Sequence, residues 1–125
     1  MKLRIKGDTV RFRVPPSGVK SLTREGKLTS QVRFSLRPNA SLIYSLVLDE
    51  STTRATFTDN EITARLPKDE ALRWASTDAV GLSGEIQLDG STSLMLSVEK
   101  NFACLDLSHK ENEDTYPNPN DGHAC

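Results

Sequence analysis

Apolar and polar residues alternate one by one along most of this chain. Leu3 and Ile5 alternate with lysine and arginine, and Val10, Phe12 and Val14 alternate with arginine after a glycine-aspartate turn signal. A period of two is typical of a strand with one buried face. Two such runs joined by a short turn predict an N-terminal hairpin.

Two segments break the alternation and predict short helices. The first runs from Ser17 to Gly26 with Leu22 on its apolar face, and glycine is a common residue at a helix end. The second opens with a proline and two acids at 67–70 and carries Trp74. Proline and acidic residues suit a first helical turn, because they complement its free N–H groups and dipole. Further strands are predicted at 28–36, 41–49, 53–58, 61–66, 80–88 and 92–100.

The apolar pattern repeats after a shift of 52 residues, without a gap. Ile5 corresponds to Phe57, and Leu22 corresponds to Trp74. Internal repetition of this kind predicts a tandem duplication of a strand-strand-helix-strand-strand unit. Each copy alone is small for an independent core, so we expect both to share one. The predicted boundaries are 2–50 and 54–102 for the repeats, 1–107 for the single domain, and 108–125 for a polar C-terminal tail.

The predicted fold class is α+β, mainly β, with about eight mostly antiparallel strands and two short helices. A closed barrel would remove the exposed sheet edges. Two packed sheets related by a pseudo-twofold axis are the alternative. The strand pattern does not separate the two architectures, because both need one apolar face on each strand.

The net charge and hydropathy of the chain limit its possible cellular location and its possible binding partners. The 125 residues have a formal net charge of -1, which argues against nucleic acid as a partner. No apolar run approaches the roughly 20 residues that span a bilayer, so no membrane partner is predicted. The N-terminus alternates apolar and charged residues and has no continuous apolar segment of a secretory signal. We expect a cytoplasmic protein.

The polar sides of the predicted strands are rich in cations. Several arginines on neighbouring strands can bind a phosphate-rich anion, because the guanidinium group matches phosphate oxygens bidentately. A solvated outer sheet face is the alternative interpretation. The candidate anion ligands are Arg4, Lys6, Arg11, Arg13, Arg33 and Arg65.

The duplicated, strand-rich plan with charged faces is similar to that of tunnel-shaped phosphohydrolases that act on triphosphates. That resemblance implies alternating glutamates on the first strand to hold metal ions. Here the first strand carries Lys2, Arg4 and Lys6, which do not ligate cations, and no catalytic residue is predicted. An enzyme acting on a phosphorylated substrate stays open as an alternative to a non-catalytic protein.

The tail contains a second candidate site. Cys104, His109, His123 and Cys125 form a two-cysteine, two-histidine set of the kind that zinc accepts. Their spacing lacks a Cys-x-x-Cys or similar knuckle, so no cofactor is the leading expectation and zinc is the alternative. A link between Cys104 and Cys125, a buried Cys104 thiol, and solvated histidines are also open.

The tail also carries sequence motifs. Val-Glu-Lys-Asn-Phe-Ala-Cys-Leu spans 98–105 and Tyr-Pro-Asn-Pro spans 116–119, behind an N-terminal Met-Lys-Leu-Arg-Ile strand. In these segments the chain resembles a family of small, uncharacterised bacterial proteins. The resemblance covers nearly the whole chain and implies a bacterial protein of unknown function, with no activity attached.

The leading functional hypothesis is a non-catalytic cytosolic binding or interaction module. Its cationic strand face would take an anionic small molecule or a protein partner. We expect Glu111, Glu113 and Asp114 of the tail to neutralise Arg4, Arg11 or Arg13 until such a partner displaces them.

Overall fold

The computed structural model describes residues 1–49, 52–103 and 114–117. The strand-strand-helix-strand-strand order occurs twice along the chain, which confirms a mainly β member of the α+β class. Within the described residues, the elements are β1 (Lys2–Lys6), β2 (Thr9–Val14), α1 (Pro16–Glu25), β3 (Lys27–Arg33), β4 (Ser41–Asp49), β5 (Arg54–Thr58), β6 (Glu61–Pro67), α2 (Lys68–Ser76), β7 (Gly81–Gln87) and β8 (Ser93–Lys100).

The eight strands form two four-stranded sheets. Sheet A has the order β1-β2-β8-β7, and sheet B has the order β3-β4-β6-β5. In each sheet two antiparallel hairpins meet at a central parallel pair, β2–β8 or β4–β6. No ladder joins the edge strands of one sheet to those of the other in the described residues. The two-sheet alternative is therefore confirmed, and the closed barrel is wrong.

The pairing registers of the two sheets correspond under the shift of 52 residues, with one exception. Hairpin β1–β2 matches β5–β6, and the parallel pair β2–β8 matches β6–β4. Hairpin β7–β8 departs by two residues, because Val32 pairs with Leu42 whereas Ile86 pairs with Leu94. The chain thus has two more residues between α2 and β7, and two fewer in the β7–β8 turn. The gapless shift fails at this hairpin.

Strand β3 is shorter than the alternation predicts. It ends at Arg33, where the Phe34 N–H donates to the Ala40 carbonyl at 2.8 Å and closes a loop. The prediction of a strand over 28–36 is therefore wrong for its last residues. Phe34 and Leu36 lie in the loop with 72% and 96% of their surface exposed.

Helix α1 ends as the sequence predicts. Gly26 adopts a left-handed conformation with φ of 77°, and its N–H donates to the Leu22 carbonyl at 2.8 Å. Glycine adopts this conformation without the steric penalty of a side chain. Gly18 has a different role, because a Cβ there would lie 2.9 Å from a Val14 methyl group. It allows α1 to pack closely on the end of β2.

The core lies between the sheets and is closed at one end by the helices. Leu22 of α1 and Trp74 of α2 are both almost fully buried and plug this end of the core. The Trp74 indole N–H donates to the Val80 carbonyl at 3.0 Å, so its one polar group is satisfied. The buried apolar residues are Phe12, Val14, Val19, Leu22, Tyr44, Leu46, Ala64, Leu66, Ala71, Trp74, Leu96 and Val98.

The strand directions give the molecule two distinct ends. We call the end covered by α1 and α2 the helix end. The opposite end contains the four turns between the strands of each hairpin, at 7–8, 34–40, 59–60 and 88–92, and we call it the hairpin end.

Candidate functional site

The outer side of sheet A carries a concentrated group of cations. Because side chains alternate along a strand, Lys2, Arg4 and Lys6 of β1 point to the same side as Arg11 and Arg13 of β2. We call these five residues the basic face. The antiparallel register places Lys2 directly opposite Arg13, and Arg4 directly opposite Arg11. Like charges that face each other across two strands destabilise a sheet.

The neighbouring strand supplies only limited neutralisation. Glu99 of β8 is the register partner of Arg13, and its Oε1 lies 3.2 Å from the Arg11 Nε. The Arg11 Nε is buried and has no aligned hydrogen bond, so this contact is an ion pair without good hydrogen-bond geometry. Among the described residues, the other four members of the basic face have no carboxylate within 4.0 Å.

A shallow depression lies on the basic face beside the β1–β2 turn. Its volume is about 660 Å³, and it is lined by Arg4, Lys6, Gly7, Thr9 and Arg11. Gly7 has a φ of 54°, and the space around its Cα is open. Two arginines, a lysine and a hydroxyl thus surround one space, which is a donor set suited to phosphate oxygens.

The structure separates Arg33 and Arg65 from the rest of the predicted anion ligands. Both belong to sheet B, Arg33 at the end of β3 and Arg65 in β6. Arg65 and Arg54 each contact the same Asp49 Oδ2, at 3.4 and 3.3 Å. Arg4, Lys6, Arg11 and Arg13 therefore form one face without them.

The outer side of sheet B is a hydroxyl-rich network instead. The Ser45 hydroxyl donates to Glu61 Oε2 at 2.7 Å and lies 3.0 Å from the Thr29 hydroxyl. The Thr63 hydroxyl lies 3.5 Å from the same Glu61 oxygen. Ser45 is fully buried, so its polar group is satisfied within this network. The Glu61 carboxylate thus accepts hydrogen bonds from side chains of the same sheet.

The glutamates that could hold a metal ion for the alternative enzyme function are dispersed. Glu61 lies on the outer side of sheet B, whereas Glu85 and Glu99 lie on the outer side of sheet A. The space between the sheets is filled by apolar side chains such as Phe12 and Leu46. A tunnel lined by charged residues is therefore wrong for this fold, because the charged sides of the strands face outward.

Part of the tail is attached to the helix end. The Asp114 carboxylate accepts hydrogen bonds from the Ser17 N–H, at 3.1 Å, and from the Ser17 hydroxyl. Ser17 lies in the first turn of α1, and Pro15 at the N-cap provides no side-chain hydrogen bond. Asp114 thus caps α1 from outside the helix. The expectation that Asp114 neutralises the basic face is wrong, and Glu111 and Glu113 lie outside the described residues.

Strand-like pairing holds Asp114 in this position. The Ala103 N–H donates to the Tyr116 carbonyl at 2.7 Å, and the Tyr116 N–H donates to the Asn101 carbonyl at 2.8 Å. The Tyr116 ring packs 5.9 Å from the Phe102 ring, between centroids. Desolvation, and secondarily the Asp114 charge, raises the pKa of the Tyr116 phenol. Tyr116 therefore packs this part of the tail onto the body.

The four predicted zinc ligands, Cys104, His109, His123 and Cys125, lie outside the described residues. The zinc site therefore stays a prediction. In the part of the chain that the structure describes, no three cysteine, histidine or acidic residues come close enough to hold a metal ion.

An apolar cleft at the hairpin end was missed by the sequence reasoning. It has a volume of about 500 Å³, and Ile5 and Phe57 lie at its mouth with 58% and 68% of their surface exposed. The shift of 52 residues relates these two residues to each other. Their distance from the predicted helices was the available indication.

Comparison with models of known protein families gives a match over nearly the whole chain. The model of DUF7009, a family of unknown function, matches residues 1–120. The chain belongs to this family. Membership of an uncharacterised family is thereby confirmed, whereas the bacterial origin and the tail motif as a family feature stay predictions. No curated protein and no solved structure matches the chain. Neither described helix is long and apolar enough to cross a membrane.

Proposed function

We propose that this protein is a binding module that takes a multiply charged anion, of the oligophosphate type, on the basic face of sheet A. The observation that carries the proposal is two pairs of opposed like charges, Lys2 against Arg13 and Arg4 against Arg11. Five cations share two short strands, although the whole chain has a formal net charge of -1. The local field is therefore positive on a protein that is not basic overall.

The energetics favour a ligand over mere solvation. Each opposed like-charge pair works against the sheet by a fraction of a kcal/mol, up to about 1 kcal/mol. An anion that bridges two strands replaces this repulsion with charge-assisted hydrogen bonds, which are the stronger class. Binding to the folded state alone then stabilises the fold by mass action.

The position of the depression supports a small ligand. Arg4 and Arg11 lie side by side across the two strands, and Lys6 and Gly7 lie nearest the turn. Arginine provides planar, bidentate donors, and lysine provides a mobile point charge. A chain of two or three phosphates is a suitable chemical match for such a row of donors. We assign no reaction to the site.

We further infer that the chain arose by tandem duplication of the units 2–50 and 54–102. The support is the correspondence of registers in β1–β2 and β5–β6, and in the two central parallel pairs. On this interpretation both outer sheet faces descend from one ancestral surface. A cytoplasmic location stays a proposal that rests on the sequence.

Isothermal titration calorimetry with sodium tripolyphosphate at low salt tests the function. The double variant Arg4→Thr/Arg11→Thr places threonine where the shift of 52 residues finds Thr56 and Thr63 in sheet B. Because it removes hydrogen bonds to a charged group, we expect a loss of affinity of roughly tenfold or more.

The matched control is Arg54→Thr/Arg65→Thr, which removes the same number of arginines from the other sheet. We expect its affinity to stay within roughly twofold of the unmodified protein, since a distant surface charge acts only through screened electrostatics. Equal losses in the two double variants, or no heat of binding in the unmodified protein, would reject the basic face as the site.

A further inference from the structure

Several large apolar side chains are exposed at the hairpin end. The apolar cleft is open between the two sheets, and Ile5 and Phe57 stand at its mouth. Leu88 at the same end is 59% exposed, and Phe34 and Leu36 in the 34–40 loop are exposed further still. Exposed apolar residues gathered at one end of a fold indicate an interaction surface.

The two halves of the chain lie on opposite sides of this end. In sheet A, β1 and β2 occupy one side and β8 and β7 the other, and sheet B has β3 and β4 followed by β6 and β5. A Cβ on Gly84 of β7 would lie 3.0 Å from a Thr53 methyl group beside β5, so the β7 and β5 edges are adjacent. The β1 and β3 edges therefore share the other side of the molecule.

Charge at the hairpin end divides in the same way. The turns of the first half, with the strand residues next to them, carry three cations and one acid, whereas those of the second half carry three acids and no cation. We call these the basic side and the acidic side. The residues are Lys6, Asp8, Arg33 and Arg37 on the basic side, and Asp59, Glu61 and Asp89 on the acidic side.

We propose that the hairpin end is a self-association surface whose occupant is the hairpin end of a second copy of this chain. The two copies are related by a twofold axis that lies in the plane of the contact and runs perpendicular to the sheets. This rotation places the basic side of one copy against the acidic side of the other. The apolar clefts then face each other at the centre. This arrangement has an apolar centre and a charged rim, which is the usual anatomy of a protein interface.

Charge complementarity also selects the orientation. A twofold rotation about the in-plane axis parallel to the sheets would bring the two basic sides together and the two acidic sides together. Like charges that meet at an interface cost free energy. The surface is thus self-complementary in one arrangement, as an isologous dimer contact must be. Arg4, Arg11 and Arg13 of the basic face lie along the outer side of sheet A and stay accessible, whereas Lys6 belongs to both surfaces.

Sedimentation velocity on the full chain at low salt tests this proposal. A standard-sized interface has a Kd of about 1 µM or tighter, so dimer should dominate at a loading concentration of about 100 µM. The Phe57→Ser variant should sediment as a monomer, because it removes an aromatic anchor from the centre of the contact.

Charge-reversal variants give a sharper test that does not depend on one apolar residue. Arg33→Glu/Arg37→Glu makes both sides net acidic, and Asp59→Lys/Asp89→Lys makes both sides net basic. Each alone should be monomeric, and an equimolar mixture should form a heterodimer. Lys20→Glu/Arg24→Glu, on the exposed surface of α1 at the helix end, is the matched control and should dimerise like the unmodified protein.

Three results would overturn the proposal. The first is an unmodified protein that is monomeric at about 100 µM, well above the expected Kd. The second is a dimer that persists in both single-sided charge variants. The third is a mixture of folded variants that does not associate. Circular dichroism of each variant establishes that loss of dimer is not loss of fold.

Discussion

The outer faces of the two sheets differ at positions that the shift of 52 residues relates. Arg4 and Arg11 in sheet A correspond to Thr56 and Thr63 in sheet B. Asp49, which contacts Arg54 and Arg65 of sheet B, corresponds to Asn101. Sheet A has therefore more cations and lacks the matching acid. The comparison shows that charge on one face is only partly neutralised, by Glu99, and that is where a ligand is expected.

The inner faces show the opposite behaviour. Leu22 and Trp74 are both buried plugs, and Phe12 and Ala64 are both fully buried in β2 and β6. Inward positions share one core, so their volumes are constrained together. Outward positions have no such constraint, which allows the two faces to diverge in charge without a change of fold.

The largest expected effects come from breaking the shared interior. Trp74→Ala should lower the free energy of unfolding by about 3–5 kcal/mol, and Leu22→Ala by about 2–5 kcal/mol, because each leaves a cavity at the helix end. Urea denaturation followed by circular dichroism measures both. A loss below about 1 kcal/mol in either variant would show that the corresponding helix is not part of the core.

A smaller effect on stability is expected from the capping of the helices, in which α1 and α2 differ. Helix α1 has no acid in its first turn and receives Asp114 from the tail, whereas α2 has Asp69 and Glu70 of its own. Asp114→Ala should lower the free energy of unfolding by about 1 kcal/mol, the usual effect of losing a cap. Asp114→Asn should retain most of it, since asparagine also caps. Equal losses in the alanine and asparagine variants would contradict a capping role.

A still smaller effect tests the repulsion on the basic face. Arg4→Thr removes the charge opposite Arg11 and should stabilise the ligand-free protein by about 0.2–1 kcal/mol at low salt. The gain should vanish at about 1 M salt, where the Debye length is only about 3 Å. Arg54→Thr is the control, and it should bring no gain because it removes an ion pair with Asp49. A gain for Arg4→Thr that is independent of salt would point to strand propensity instead of charge.

The smallest expected effect concerns the β7–β8 turn, which departs from the repeat. The backbone N–H groups of Ser91 and Thr92 donate to Asp89 and lower the pKa of its carboxyl below the ordinary value of 3.8. A depressed carboxyl pKa contributes stability above the unfolded-state pKa, and this contribution is lost as the pH falls through the folded-state value.

The Asp89→Asn variant tests this contribution. Its melting temperature should be slightly lower than that of the unmodified protein at pH 7, and the difference should shrink below pH 3.8. A difference of the same size at both ends of this pH range would show that the turn depends on shape and not on the Asp89 charge.

Much of the fold could be predicted from the sequence, because period-two alternation and turn residues act locally. The hairpins, the two helices and the plugs Leu22 and Trp74 all follow from such patterns. The sheet order could not be predicted. Each sheet combines a hairpin from each half through a parallel pair, and that pairing depends on contacts between residues distant in the chain.

The candidate site was partly accessible for the same reason. Alternation alone places Arg4, Lys6, Arg11 and Arg13 on one side of a hairpin. It does not show that Arg65 lies on a different sheet beside Asp49. It also does not show that Asp114 caps α1, because this contact joins residues 97 positions apart.

The most direct test of the central claim is a titration of the ¹⁵N-labelled protein with sodium tripolyphosphate, followed by amide chemical shifts. The account predicts saturable shifts concentrated in β1 and β2 around Arg4, Lys6 and Arg11, with the strands of sheet B unchanged. Saturable shifts centred on β5 and β6, or on the helix end, would contradict the account. A spectrum that does not change on titration would contradict it as well.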